Sequence, residues 1–271
     1  AALALDPDFV PARAGLARTL SLAPLNDRRS WLEAAEREAN RVIVAEPANA
    51  EAWSVLGYIN TIYFWRWREA AEATDRALAL APNDSEVVNF AGDYYHATRD
   101  VARMLATERR AVELNPLHAI KHSDLAFAQF VLGDHEAAIR HVRDALALDP
   151  ALDAPYDPLV MSLGALRRFD EMRSAIALAR THTRPQDHRY PWLSVCGALA
   201  EGQRDEAMRF VAQLVSPAEK GEHSFARLGY HYLLLGDSDE GIKWLERGYD
   251  RRETVLVFGV AIDLGKIAAD P

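Results

Sequence analysis

Histidine and acidic residues come closest to known metal-binding patterns at two places in the sequence. His135 and Glu136 begin a His-Glu-x-x-His helix motif, but Ile139 stands where the second histidine is needed to hold a zinc ion. His118 and His122 are four residues apart, at the start of a predicted helix, and no third ligand is apparent near them. The sequence therefore predicts no metal site.

Motifs that bind phosphate or activate a serine do not occur in the sequence. It has no Gly-x-x-x-x-Gly-Lys-Ser/Thr loop, no Gly-x-Gly-x-x-Gly turn and no Gly-x-Ser-x-Gly turn. Acidic pairs recur instead, at Asp170 with Glu171, Asp205 with Glu206 and Asp239 with Glu240. Their repetition favours the first turn of successive helices, where negative charge is stabilised, over general acid/base catalysis. We predict a chain without enzymatic activity or cofactor.

Charge and composition exclude further classes of protein. Asp and Glu outnumber Lys and Arg by 40 to 31, and the basic residues are scattered, whereas nucleic-acid binding needs a concentrated positive surface. Hydrophobic residues make up 49% of the chain, which suffices for a buried core, but no apolar run approaches the roughly 20 residues that span a bilayer. We predict a soluble, cytoplasmic monomer or weak dimer that binds neither nucleic acid nor membrane.

Cys196 is the single cysteine of the chain, so no internal disulfide can form. Its neighbours are small and apolar, which is typical of helix packing. We predict a buried structural thiol.

A recurring helix end divides the sequence at regular intervals. Prolines stand at 47, 82, 116 and 150, each after a short apolar segment, and their spacings are 35, 34 and 34 residues. Such a period indicates one supersecondary unit per repeat, and proline ends a helix at each boundary. Within a repeat, bulky and small apolar residues alternate at helical spacing; the second repeat has Trp53, Leu56, Gly57, Ala70, Thr74 and Ala77 at these positions.

This pattern resembles the tetratricopeptide repeat (TPR) family, most closely over residues 48–150. After Pro150 only the turn and second-helix half persists, as at residues 202–207 and 236–241. The resemblance implies an all-α fold, a right-handed superhelical solenoid of antiparallel helix pairs. We expect one solenoid over 1–271: the end of a preceding helix at 1–7, four units at 8–150 with the first lengthened, three degenerate units at 151–250 and a capping segment at 251–271.

Three local features resemble a narrower group of TPR regions. They are the lengthened first repeat, with a loop at residues 21–27, the aromatic and basic turn at 64–71, and the tail at 244–271. Residues 259–262 depart from the usual tail pattern. Similar regions occur at the C-termini of bacterial class III adenylyl/guanylyl cyclases, CadC-type winged-helix activators and Ser/Thr kinases. The resemblance implies a regulatory module with a catalytic or DNA-binding domain upstream.

A partner-binding groove is expected on the first helices of the repeats, where residues four and seven apart share a stripe. Repeat position assigns to it Ser54, Tyr58, Thr61, Asn89, Asp93, His96, Ser123, Phe127 and Phe130, with Trp65 and Arg66 as a possible secondary contact. Trp67 occupies the turn position at which the family has a packing aromatic, so we expect it in the core.

The expected ligand follows from the chemistry of these side chains. They lack the cationic cluster that holds a peptide carboxylate, which favours a neutral or mildly basic protein or peptide, or an adjoining effector domain. Two alternatives remain open at this point. The same residues could merely fill the interior of the superhelix, or the domain could be a sensor that closes on a small molecule.

Overall fold

The computed structural model describes residues 2–22, 28–182 and 189–258. In these ranges the chain forms helices and turns without a strand, which confirms the all-α prediction. The helices belong to two compact units, Ala1–Pro116 and Leu117–Pro271. No helix in the described ranges combines the length and the apolar character needed to cross a membrane.

The first unit consists of three helix pairs that follow a short helix at its start. Its helices are α1 (Ala2–Leu5), α2 (Val10–Ser21), α3 (Arg28–Ala45), α4 (Ala50–Ile59), α5 (Trp67–Leu80), α6 (Ser85–Ala97) and α7 (Val101–Leu114), and a π-helical turn (Asn60–Phe64) extends α4. Each first helix packs against the helix that follows it, as α2 with α3, α4 with α5 and α6 with α7.

The second unit repeats this arrangement with four helix pairs. Its helices are α8 (Ala119–Val131), α9 (His135–Leu148), α10 (Tyr156–Ala165), α11 (Phe169–His182), α12 (Arg189–Ala200), α13 (Arg204–Glu219), α14 (Phe225–Leu234), α15 (Ser238–Asp250) and α16 (Val255–Phe258). Successive helices again form the pairs, from α8 with α9 to α14 with α15. Residues 23–27 of the predicted loop at 21–27 and residues 259–271 of the predicted tail at 244–271 lie outside the described residues.

The helix starts explain why polar residues recur at fixed positions in the repeat. Asp100, Asp134 and Asp237 each accept a hydrogen bond from the backbone N–H three residues later, at the starts of α7, α9 and α15. Such caps satisfy backbone donors that the helix itself leaves without a partner. The acidic pairs at 170–171, 205–206 and 239–240 lie in the first turns of α11, α13 and α15, as predicted.

Small residues let the two helices of a pair approach closely. In the last pair, a Cβ atom added at Gly229 would lie 2.8 Å from the carbonyl oxygen of Gly241 and 3.0 Å from the backbone nitrogen of Leu245. A Cβ added at Gly248 would lie 3.0 Å from the backbone nitrogen of Ala226. A Cβ added at Gly241 would lie 2.6 Å from Cδ2 of Leu233 and 3.2 Å from the carbonyl oxygen of Gly229.

We predict that Gly229→Ala destabilises the second unit, since the new methyl group meets backbone atoms that cannot move aside; overpacking of this kind costs about 1–3 kcal/mol. Gly15→Ala is the matched control. It lies within α2 with no described atom within 4 Å of the added Cβ, so we expect the free energy of unfolding to rise by about 0.5–1 kcal/mol. Urea titrations followed by circular dichroism measure both changes; equal midpoints for the two variants would contradict this packing.

Candidate binding surface

In each unit the first helices of the pairs pack side by side and form what we call the first-helix row. In the first unit α2 contacts α4, and α4 contacts α6. In the second unit α8 contacts α10, and α10 contacts α12. Because such rows form the inner surface of helical repeats, they are where the groove residues were predicted.

Two predicted groove residues on the α4 segment are fully or almost fully buried. The Ser54 hydroxyl donates a hydrogen bond to the Glu51 carbonyl oxygen at 2.8 Å, and the Thr61 hydroxyl donates to the Gly57 carbonyl oxygen at 2.8 Å. Hydroxyl groups that donate to the carbonyl four or three residues earlier are satisfied within their own helix. Little of either side chain is left for a ligand.

Tyr58 is half-buried and stacks on the ring of Phe90 across the α4–α6 contact, with ring centroids 4.5 Å apart and an angle of 12°. Its position is therefore set by the core of the first unit. Arg28, at the start of α3, lies close enough to interact with the hydroxyl groups of Tyr58 and Tyr63. Burial lowers the pKa of Arg28 from its ordinary value and the two tyrosines raise it, but the guanidinium stays charged at neutral pH.

Arg28 is a residue that the sequence analysis missed. Its positive charge interacts electrostatically with Tyr58, one of the predicted groove residues, and with Tyr63. No local motif could have identified it, because it enters from the second helix of its pair rather than from the first-helix row.

Asn89, Asp93 and His96 lie on α6 at spacings of four and three residues, and all three side chains are half-buried. This spacing places them along one stripe of the helix. Together with Tyr58 on the adjacent α4, they give the first unit a partly accessible strip of aromatic and polar groups.

In the second unit the predicted residues lie on α8. Ser123 is buried, whereas Phe127 and Phe130 are half-buried with ring centroids 6.1 Å apart. Phe130 also contacts the His135 ring at 5.9 Å. The two phenylalanines form a small aromatic patch in this unit.

The turn before α5 departs from an ordinary helix end. Residues Asn60–Phe64 form a π-helical turn, and Trp65 follows in the left-handed region with a φ of 55°. Such turns are frequent at functional sites. Arg66 forms an ion pair with Glu36 and lies 4.3 Å above the Phe64 ring centre, so its charge already has partners within the chain.

The prediction that Trp67 packs in the core is wrong. Its side chain is 44% exposed, and it is the first residue of α5. Trp65, two residues earlier, is half-buried instead.

No protein-family model and no curated protein matches the chain. Solved structures do match it. A tetratricopeptide repeat protein from Parabacteroides merdae has a TM-score of 0.63 at 14% identity and covers 88% of this chain and 93% of its own. PilW, a widely conserved type IV pilus biogenesis factor, has a TM-score of 0.62 at 18% identity, with 76% and 92% covered. PilF from Pseudomonas aeruginosa has a TM-score of 0.59 at 18% identity and covers 76% of this chain and 91% of its own.

The chain has the TPR fold. Sequence identities of 14–18% establish a shared fold and no more. The fold alone does not say what the side chains on the first-helix rows bind, so that question rests on their chemistry.

The second TPR unit also buries a group of polar and aromatic side chains between α12 and α14. The His231 ring is fully buried, 4.6 Å from the Trp192 ring centre and stacked 6.4 Å from His223. Burial lowers the pKa of His231 well below its ordinary value, and the nearby His223 and Arg227 lower it further. Burial likewise raises the pKa of the Cys196 thiol, which makes this cysteine a poor nucleophile at neutral pH.

We predict that His231 makes the protein less stable in mild acid. Its pKa is lower in the folded than in the unfolded chain, so below about pH 6.5 the unfolded chain binds the extra proton and gains stability. His231 lowers the free energy of unfolding by at most about 1.4 kcal/mol for each pH unit of acidification. Urea titrations between pH 7.5 and pH 5 should show a shallower decline for His231→Leu than for the original chain. An unchanged pH slope in the variant would contradict this assignment.

Proposed function

We propose that this chain is a non-catalytic TPR module that binds an extended segment of another protein or domain. The binding surface is the strip of Tyr58, Asn89, Asp93 and His96 on the first-helix row of the first unit, with Phe127 and Phe130 as a second contact patch. The observation that carries the proposal is the partial exposure of Asn89, Asp93 and His96 along one helix, α6, together with the stacked Tyr58 on the adjacent α4.

The chemistry of the strip fits an extended backbone. A peptide in this conformation presents N–H donors and carbonyl acceptors in alternation. Asp93 can accept from such donors, and Asn89 can donate and accept. The expected ligand stays a neutral or mildly basic segment of a protein.

The wider setting of the module is part of the same proposal. Resemblance to the C-terminal TPR regions of bacterial cyclases, winged-helix activators and kinases supports a regulatory role in a larger signalling or transcription protein. An upstream effector domain would then be one possible occupant of the strip. The cytoplasmic location and the monomeric or weakly dimeric state stay predictions.

Affinity capture from a bacterial lysate, followed by a binding measurement with the purified captured protein, tests this proposal. The double variant Asn89→Arg, Asp93→Arg places two positive charges on the strip, and we expect at least a tenfold weaker Kd because the polar contacts of both side chains are lost and the new charges do not match the ligand. Glu72→Arg on α5 is the control, since it makes a comparable change on an exposed second helix.

The binding measurements on the three proteins distinguish the proposed binding surface from other surfaces of the chain. A partner that binds the original chain and Glu72→Arg equally, but not the double variant, supports the strip as the binding surface. Equal binding by all three proteins contradicts it. A further variant, Phe127→Glu, tests whether the second unit contributes, after circular dichroism has shown that it is folded.

A second candidate function is binding of a small polar molecule in the second unit. The indole nitrogen of Trp192 and both ring nitrogens of His231 are buried and make no hydrogen bond to the described residues. Buried polar atoms are usually satisfied, so a small hydrogen-bonding ligand could supply the partners. A screen by thermal shift would detect such a ligand because it stabilises the folded state, and Trp192→Phe should weaken the shift.

A further inference from the structure

His122, His141 and Asp144 bring three potential metal ligands together within one helix pair of the second unit. His122 lies on α8, whereas His141 and Asp144 lie three residues apart on α9. The Nδ1 atoms of the two imidazoles are 3.3 Å apart. The Asp144 Oδ2 atom is 3.6 Å from Nδ1 of His141 and 3.9 Å from Nδ1 of His122.

The spacing of the two nitrogens suits a tetrahedral metal ion. Zinc binds imidazole nitrogen at about 2.0–2.1 Å, and two such ligands at the tetrahedral angle are separated by roughly 3.3 Å. The carboxylate oxygen needs to move closer by less than about 1 Å to complete a third ligand position at the same bond length. Asp144 can make this movement because its side chain is largely exposed, while His122 is held in the interior.

A hydrogen bond between the two imidazoles is the alternative explanation of the short nitrogen–nitrogen distance. One ring would then donate from Nδ1 and the other would accept with its lone pair. That arrangement leaves the Asp144 carboxylate near an accepting nitrogen, where two lone pairs face each other. A cation at the centre satisfies all three lone pairs at once.

We propose that His122, His141 and Asp144 form a binding site for one divalent transition-metal ion, with zinc as the expected occupant. Two imidazoles and one carboxylate favour zinc, copper or nickel over magnesium and calcium, which prefer oxygen ligands. Three protein ligands leave a fourth position for water or for a side chain of a partner. The ion would link α8 to α9 and so stabilise this helix pair.

In the sequence, the local partner of His122 is His118, four residues before it, and no third ligand is apparent nearby. The structure instead joins His122 to a histidine 19 residues later, on the next helix. This pairing depends on how the two helices pack and cannot be seen from local spacing. It is also independent of the proposed partner-binding strip, which lies in the other unit.

Calorimetric titration of the metal-free, untagged chain with ZnCl₂ tests the site, and absorption spectroscopy of the Co²⁺-loaded chain reports its geometry. We expect one ion per chain and the visible bands of tetrahedral cobalt. His141→Gln should weaken zinc binding at least tenfold, and Asp144→Asn should weaken it less, as expected for loss of a ligand. Both positions are accessible enough for the variants to fold, which circular dichroism will check.

His118→Gln is the matched control, because it removes the histidine just before α8 and should leave the zinc affinity unchanged. Retention of one-ion binding with unchanged affinity in His141→Gln would overturn the proposal. So would the absence of binding by the original chain at micromolar zinc, which would favour the imidazole hydrogen bond. Loss of zinc binding in His118→Gln but not in His141→Gln would also overturn the proposal, because it would assign the metal ion to residues other than the three named.

Discussion

Close contact between the two helices of each pair is the constraint on which the rest of the structure depends. Where Gly229 and Gly248 meet the facing helix, a methyl group would already approach backbone atoms at 3.0 Å or less. Fully buried alanines such as Ala35, Ala70 and Ala138 serve the same purpose in other pairs. Small residues thus set the distance between helices, and that distance decides which larger side chains can reach each other.

The candidate sites follow from this packing. Tyr58 reaches Phe90 because α4 and α6 lie side by side in the first unit, and His122 reaches His141 because α8 and α9 pack face to face in the second. Neither contact is local in the sequence. Both contacts depend on the apolar core that holds the helices together, and the polar groups are added to that core. TPR proteins can therefore share a fold and differ in what they bind.

The repeat itself could be predicted because its signals are local. Proline at 47, 82, 116 and 150, acidic residues in first turns and alternating small residues specify helix pairs without any tertiary information. The π-helical turn at Asn60–Phe64 and the exposure of Trp67 could not be predicted, because repeat position says nothing about local departures from helical geometry. Arg28 and the group of His122, His141 and Asp144 were missed because each depends on two helices meeting.

Direct mapping of a bound partner tests the central claim, which is that the first-helix row of the first unit contacts an extended segment. A photoreactive benzoylphenylalanine can be placed at Asn89 on the strip and, in a second protein, at the exposed Arg76 on α5. After irradiation with the captured partner, we expect a covalent adduct from position 89, joined to one short stretch of the partner, and none from position 76. Adducts from position 76 alone would contradict the account and place the partner on the second helices.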